Sequence, residues 1–369
     1  MKIVGATIGS PTRVGDSIGD TWTAAWADDG TLYCLSDDTL GFGRSCRSNL
    51  AIHRIDGSDP GDLSGVTINP MSDYGKLAEF RSEDNAMWKG SGLICVDGIL
   101  YLAVSRHGHQ QKSRFWIQQA WDSTIVMSTD GGRSWSNPPT LGRSMFPGGA
   151  FSNPFFVSYG PGGKGAVDGV DRYVYAISAD GVWNNGSSMV LGRVRRDRIA
   201  RLVANDWEFA HGHDQYGLPI WSRRHDSARY VFRNPGRTSM ASLHHIAELG
   251  MYILPQWYFS DLSSDNRRWQ ASTLEFYQAP HPWGPFTRFH SQQFFPQGWY
   301  NPCIVPKFTT SQGDRLTLFM AGDFTTFQTD SRWYGCFTVP LKLELDEQAE
   351  LSPWPHVEFP PEESIPVER

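Results

Sequence analysis

Several features are scarce in this 369-residue chain, and each scarcity removes a class of protein. The five cysteines, Cys34, Cys46, Cys95, Cys303 and Cys336, stand apart with no CxxC pair. Such spacing is neither a zinc signature nor a dense disulfide framework. Buried free thiols are expected, with a Cys34–Cys46 bridge as the alternative in an exported protein. No run of about 18 apolar residues occurs, the length a membrane-crossing helix needs. Basic charge is not in excess: the net charge is −6 at pH 7, which argues against a nucleic-acid-binding surface. Met1–Gly5 leads into Pro11 and Asp16, too short and polar for a signal peptide. The expectation is a cytoplasmic chain, or one whose export signal has been removed. No metal or cofactor is expected, and neither nucleic acid nor membrane is expected as a partner.

What is plentiful points elsewhere. Aromatic residues make up 13%, with 15 Trp, beside 37 Gly and 23 Pro. Aromatics and turn formers with little helical patterning indicate an all-β chain. Many Trp residues pack between sheets, and many also suit stacking on sugar rings.

A repeat runs through the sequence. "IGDTWTAAWADDGTLYCLSDD" from Ile18 to Asp38 reads as two strands around an Asp28-Asp29-Gly30 turn. Echoes follow at Trp88–His107, at Phe151 continuing to Gly181, at Thr238–Phe259, and at Trp299 continuing to Phe324. Each echo is followed by more polar strands, such as "SNLAIHRIDG" and "YGCFTVPLKLEL". Five units of about four strands predict a five-bladed β-propeller, with six or seven blades as the alternative. Residues 1–17 are expected to add a closing strand to the last blade. Residues 56–85 and 206–237 read as long loops. Residues 1–350 form one domain on this reading, and 351–369, rich in Pro and Glu, form an extended tail.

Two motifs carry a resemblance. Ser128-Thr129-Asp130-Gly131-Gly132-Arg133-Ser134-Trp135 resembles the Asp-box of sialidases, a turn on the outer edge of a propeller blade. "EFYQAPHPWGPF", Glu275 to Phe286, resembles the fourth-blade strand of the five-bladed glycosidases, which include arabinanases, xylosidases and invertases. "GDTWTAAWADDGTLY" with "WKGSGLICVDGILYL" is similar to a bacterial propeller family with a branch of endo-D-arabinanases. The resemblance implies a carbohydrate substrate and an acidic residue at the start of the first blade's inner strand.

The inner-strand starts of a propeller converge on one opening. Here they are Asp20-Thr21-Trp22, Trp88-Lys89-Gly90, Ser152-Asn153-Pro154, Arg237-Thr238-Ser239 and Tyr300-Asn301-Pro302. They are expected to form the floor of a pocket. The second-strand ends give another ring, Asp37-Asp38, Arg106-His107, Asp180, Gln256-Trp257 and Asp323, expected nearer the opposite face or the outer channel. Strand alternation sends one of Asp37 and Asp38 inward and leaves the other in a solvated turn.

Glycoside hydrolysis needs two carboxyl groups across one bond. Asp20 matches the resembling families' acidic position, so it is expected as nucleophile or general base. Asp38, Asp323 and Glu248 are candidate acids, and His107 is a candidate proton donor near neutral pH. The Glu acid of those families has no match at an inner position here. Trp22, Trp88, Trp183 and Trp257 are candidate stacking surfaces. Lys89, Arg106, Asn153, Arg237, His244 and Asn301 are candidate substrate-binding residues. "SRHGH", Ser105 to His109, supports a second reading as a polysaccharide lyase, with Arg106 on a uronate carboxylate and His107 with a Tyr doing the elimination. A non-catalytic glycan-binding propeller is the third.

Overall fold

The computed structural model describes residues 1–79, 86–109, 118–136, 138, 143–164, 172–260, 270–323 and 332–349. The tail at 351–369 lies outside the described residues.

The strands gather into five antiparallel sheets that follow one another along the chain, a five-bladed β-propeller. Blade one runs outward through Ile18–Trp26, Leu32–Gly41, Ser48–Asp56 and Ser64–Asn69. Its first turn works as the sequence indicates. Gly30 takes a φ of 86°, its N–H reaches the Ala27 carbonyl at 3.0 Å, and the Asp29 carboxylate accepts from Thr31 N–H at 2.9 Å. Blade two comprises Met87–Val96, Ile99–His109, Gln118–Ser128 and Phe146–Pro147. Blade four comprises His244–Ile246, Met251–Phe259, Ser272–Ala279 and Thr287–Phe294.

Blade five mixes both ends of the chain. Its inner strands are Tyr300–Ile304, Arg315–Ala321 and Phe337–Asp346. Lys2–Ile8 then pairs with Phe337–Asp346, Lys2 opposite Asp346 and Ile8 opposite Leu341, and closes the ring as the sequence predicts. The Gln278 side chain of blade four holds this closing strand, accepting from Ile3 N–H at 2.9 Å and donating to Ile3 C=O at 2.5 Å.

Two loop expectations are corrected. Residues 64–69 are blade one's outer strand. Residues 206–237 hold the strands Trp207–His213, Pro219–Ser222 and most of Tyr230–Thr238, which enlarge blade three to six strands around Pro154–Phe156, Tyr173–Ala179 and Gly186–Arg195.

Blades pack face to face, so middle strands are covered on both sides and lose the half-polar alternation of a surface sheet. Leu100, Tyr101, Leu102, Ala103 and Val104 are consecutive and all buried. All five cysteines are free and buried, including Cys34 and Cys46. The Ser128–Trp135 turn is held by its own side chains. Asp130 accepts from Ser134 N–H at 2.9 Å and from Ser134 Oγ at 2.6 Å, and Ser128 Oγ accepts from Gly132 N–H at 2.9 Å. Those bonds from Ser134 hold the Asp130 carboxyl down at about 2. The turn locks blade two to blade one through Asn69, whose amide donates to Arg133 C=O at 2.8 Å.

Candidate active site

A small pocket opens at the propeller's centre, lined by Asp20, Thr21, Asp37, Asp38, Lys89, Gln118 and Trp183. Blade one supplies four of these residues. Pairing is antiparallel, so the end of its second strand lies beside the start of its first: Asp37 is the cross-strand partner of Asp20. This corrects the expected second ring on the opposite face. Asp20, Asp37 and Asp38 belong to one pocket, and no solvated turn separates them.

Local backbone irregularity makes this possible. The pairing slips between Ile18 and Asp20 and again between Asp20 and Thr23. Gly19 sits at the first slip with φ 146°, where a Cβ would fall 2.5 Å from Thr39 Oγ1. Thr21 and Asp38 both take left-handed conformations, φ 53° and 38°. Asn301 and Asp323 do the same in blade five, φ 49° and 52°. Such conformations cost on the order of 1 kcal/mol or more for a residue with a Cβ, and they concentrate where surroundings impose them. Asp38's twist overrides the alternation that would turn it away from Asp37's side.

The electrostatics separate the three carboxyls. Asp38 forms an ion pair with Lys89, Oδ2 to Nζ 2.5 Å, inside the pocket. Asp20 is 2% exposed and accepts a hydrogen bond from Tyr300 Oη at 2.9 Å. Burial first, then the Asp38 charge, push its carboxyl up from 3.8 to about 7, against the opposing pull of Lys89, Tyr300 and Tyr334. Asp37 accepts from Gly90 N–H at 2.9 Å, and burial holds its carboxyl well above the usual range. Burial opposes the charge on Lys89, yet the surrounding Asp38, Asp37 and Asp20 raise its ammonium above the ordinary value. One carboxylate is therefore paired with a cation while two neighbours favour keeping their protons.

Behind the pocket, Trp183 meets Trp257 with ring centroids 4.9 Å apart, and both pack on Tyr300 and Phe259. Trp257 is fully buried and its indole N–H donates to Met240 C=O at 2.9 Å. It supports Trp183 instead of presenting a stacking face. His107 is buried behind Gln118, Nδ1 to Oε1 3.4 Å. Asp323 is almost buried within electrostatic reach of Tyr300, outside the pocket lining. Asn301 is buried with its Nδ2 lacking a hydrogen-bond partner among the described residues.

Other expected site residues have structural partners. Trp22 is buried against Phe42 and His53 and donates to Gly19 C=O at 3.0 Å. Trp88 packs edge-on against Tyr74 in the layer between blades one and two. Arg106 is gripped by its cross-strand neighbour Asp122, Nε to both carboxylate oxygens at 3.0 and 3.1 Å. Asn153 donates to Val182 C=O at 2.8 Å and accepts from Ser178 Oγ at 3.2 Å. Arg237 is exposed, its guanidinium over the Tyr258 ring, because blade four's inner strand begins at His244 instead. His244 is buried, accepts from Ile304 N–H at 3.2 Å and is pushed down to about 3 by burial. Glu248 is exposed in a one-turn helix. The side chain of His109 lies outside the described residues.

The fold and the pocket together define a five-bladed propeller with a buried acidic centre. The chain belongs to the family described as "Domain of unknown function (DUF4185)", which matches residues 4–329. Among solved structures, a candidate hydrolase from Bacteroides ovatus aligns over 89% of this chain and 86% of its own, at 13% identity and a TM-score of 0.52. A GH43 endo-arabinanase from Bacillus licheniformis aligns over 91% and 98%, at 11% identity and a TM-score of 0.47. A GH43 enzyme from Xanthomonas citri, solved with xylotriose, aligns over 91% and 90%, at 14% identity and a TM-score of 0.44. At such identities the likeness is one of fold. No curated protein matches the sequence.

Proposed function

We propose that this protein is a glycoside hydrolase acting on uncharged sugar units of an oligo- or polysaccharide. The observation that carries the reading is the contrast in surroundings between two pocket carboxyls. Asp20 is buried and holds its proton up to about pH 7, while Asp38 is ion-paired with Lys89. Two carboxyls in such unlike surroundings suit one proton donor and one base or nucleophile. The burial turns the expected assignment round. Asp20 becomes the general acid, donating to the leaving glycosidic oxygen, and Asp38 the group that activates water or attacks.

The substrate class follows from the charges. Among the described residues the one cation lining the pocket, Lys89, is engaged by Asp38, and Arg106 is engaged by Asp122. A uronate would meet three carboxyls there, which weakens the lyase reading.

The test is incubation of the purified protein with plant, microbial and mycobacterial polysaccharides, beside Asp20→Asn. Reducing ends and ultraviolet absorbance of unsaturated uronates are read together. The reading expects new reducing ends without absorbance, lost in Asp20→Asn. Absorbance that persists in that variant would move the chemistry to His107 and Arg106.

A further inference from the structure

Asp37 has no counterpart among the residues expected to do chemistry, yet it lines the same pocket. It and Asp38 are neighbours on blade one's second strand. Lys89 and Gly90 are neighbours on blade two's inner strand. The two pairs meet across the seam between blades: Asp37 Oδ1 accepts from Gly90 N–H at 2.9 Å, and Asp38 Oδ2 meets Lys89 Nζ at 2.5 Å. Consecutive strand residues ordinarily face opposite sides. Asp38's φ of 38° lets both carboxyls act on the same strand. The seam is also tight at this point, since a Cβ on Gly90 would fall 2.5 Å from the Leu35 side chain.

We infer that Asp37 is a positioning residue whose carboxyl oxygen fixes the Lys89–Gly90 backbone, and thereby sets the Lys89 ammonium against Asp38. Gly90 N–H is buried, and it would lose its acceptor without Asp37. The long Lys89 side chain has several rotatable bonds, so its ammonium holds one place only if its backbone does. Asn at position 37 keeps the accepting oxygen and the volume. Ala keeps neither. The role therefore predicts that Asn substitutes where Ala fails, which a role in carrying charge does not. The consequence for turnover rests on the hydrolase reading; the placement of Lys89 does not.

The experiment reads the Lys89 ammonium directly, by nitrogen–proton NMR of lysine side chains in the full chain at pH 7. A buried, paired ammonium exchanges slowly enough to be seen, and Lys89→Met assigns its signal. The expected result is a signal in the wild type and in Asp37→Asn, lost in Asp37→Ala. A signal unchanged in Asp37→Ala overturns the inference, as does a signal absent from the wild type or lost in a folded Asp37→Asn. If Asp37→Ala does not fold, Asp37→Asn decides alone: retention supports the role and loss overturns it. Should hydrolysis be found, kcat falls about tenfold or more further in Asp37→Ala than in Asp37→Asn, with KM changing less. The NMR pattern holding without any hydrolysis would sink the hydrolase reading and leave the positioning role standing.

Discussion

Replacing Asp20 by Asn separates the cost of the site from its use. In the folded protein the Asp20 carboxyl is raised from 3.8 to about 7, by burial first and by Asp38 second. Below pH 3.8 the carboxyl is protonated whether the chain is folded or not, and it contributes no pH dependence. Between 3.8 and 7 the folded state keeps a proton that the unfolded state has released, so stability falls as pH rises. Above about 7 both states are ionised and the loss is complete. At about 1.4 kcal/mol per pH unit, that window corresponds to up to about 4 kcal/mol. Asn cannot ionise and lacks this slope. Any loss of hydrogen bonding to Tyr300 or Tyr334 shifts the Asn curve without tilting it. Urea unfolding at closely spaced pH values from 4 to 9, for wild type and Asp20→Asn, is the assay. The difference in unfolding free energy should move in favour of Asn as pH rises and level off above 7. Parallel curves would refute the claim that Asp20 is buried as a proton-holding acid, and the catalytic assignment would fall with it.

Three further outcomes follow from named contacts. Tyr300→Phe removes a donor that favours the ionised Asp20, so the pH at which the wild-type curve levels off should rise, and an unmoved plateau would count against the 2.9 Å bond. Arg106→Met leaves the buried Asp122 without its guanidinium partner and should cost about 3–5 kcal/mol in urea unfolding; a loss confined to activity would restore Arg106 as a substrate ligand. Gly92→Ala places a Cβ 2.7 Å from Pro154 C=O and 2.8 Å from Phe156 N, both backbone of blade three, and should cost about 1–3 kcal/mol; unchanged thermal unfolding would mean the blades separate more readily than this packing allows.

Much of the fold was legible because a propeller writes itself as repeats. Each blade needs two apolar inner strands and a turn, and "WADDGTLYCL" or "CVDGILYLAV" carries that local demand openly. The closing strand was legible too, since residues before the first repeat have nowhere else to pair. Blade three's extension was not. Its strands lie at the blade's outer edge, with Ile220 and Tyr230 exposed and charged residues around them, so they lack the apolar pattern of a covered strand and read as a loop. The start of blade four was misplaced for a related reason. Tyr230–Thr238 pairs back onto Gly186–Arg195, and the polar Arg237-Thr238-Ser239 marks the end of that strand.

The site was legible only where polarity has no structural alternative. Polar residues at inner-strand starts have two causes. An innermost strand has one edge without a strand partner, so its backbone groups must be met by side chains. Thr23 Oγ1 donates to Ser91 C=O at 3.2 Å and Ser91 Oγ to Pro154 C=O at 2.9 Å, each from one blade's inner strand to the next, while Asn153 Nδ2 donates to Val182 C=O at 2.8 Å within blade three. These residues look like a pocket floor in sequence because short polar groups serve either purpose. Carboxyls and Lys89 differ, since a buried charge is a costly way to satisfy a backbone group. That is why Asp20, Asp38 and Lys89 could be picked out, and why Asn153 and Arg106 were picked out beside them without belonging. Asp37 escaped because alternation assigned only one of two adjacent acids to the pocket, and a single left-handed residue defeats alternation. Three carboxyls and one ammonium buried at a strand crossing would lower stability in a propeller that used its centre only for packing. Retained there, they define the place where this chain spends stability on something other than its fold.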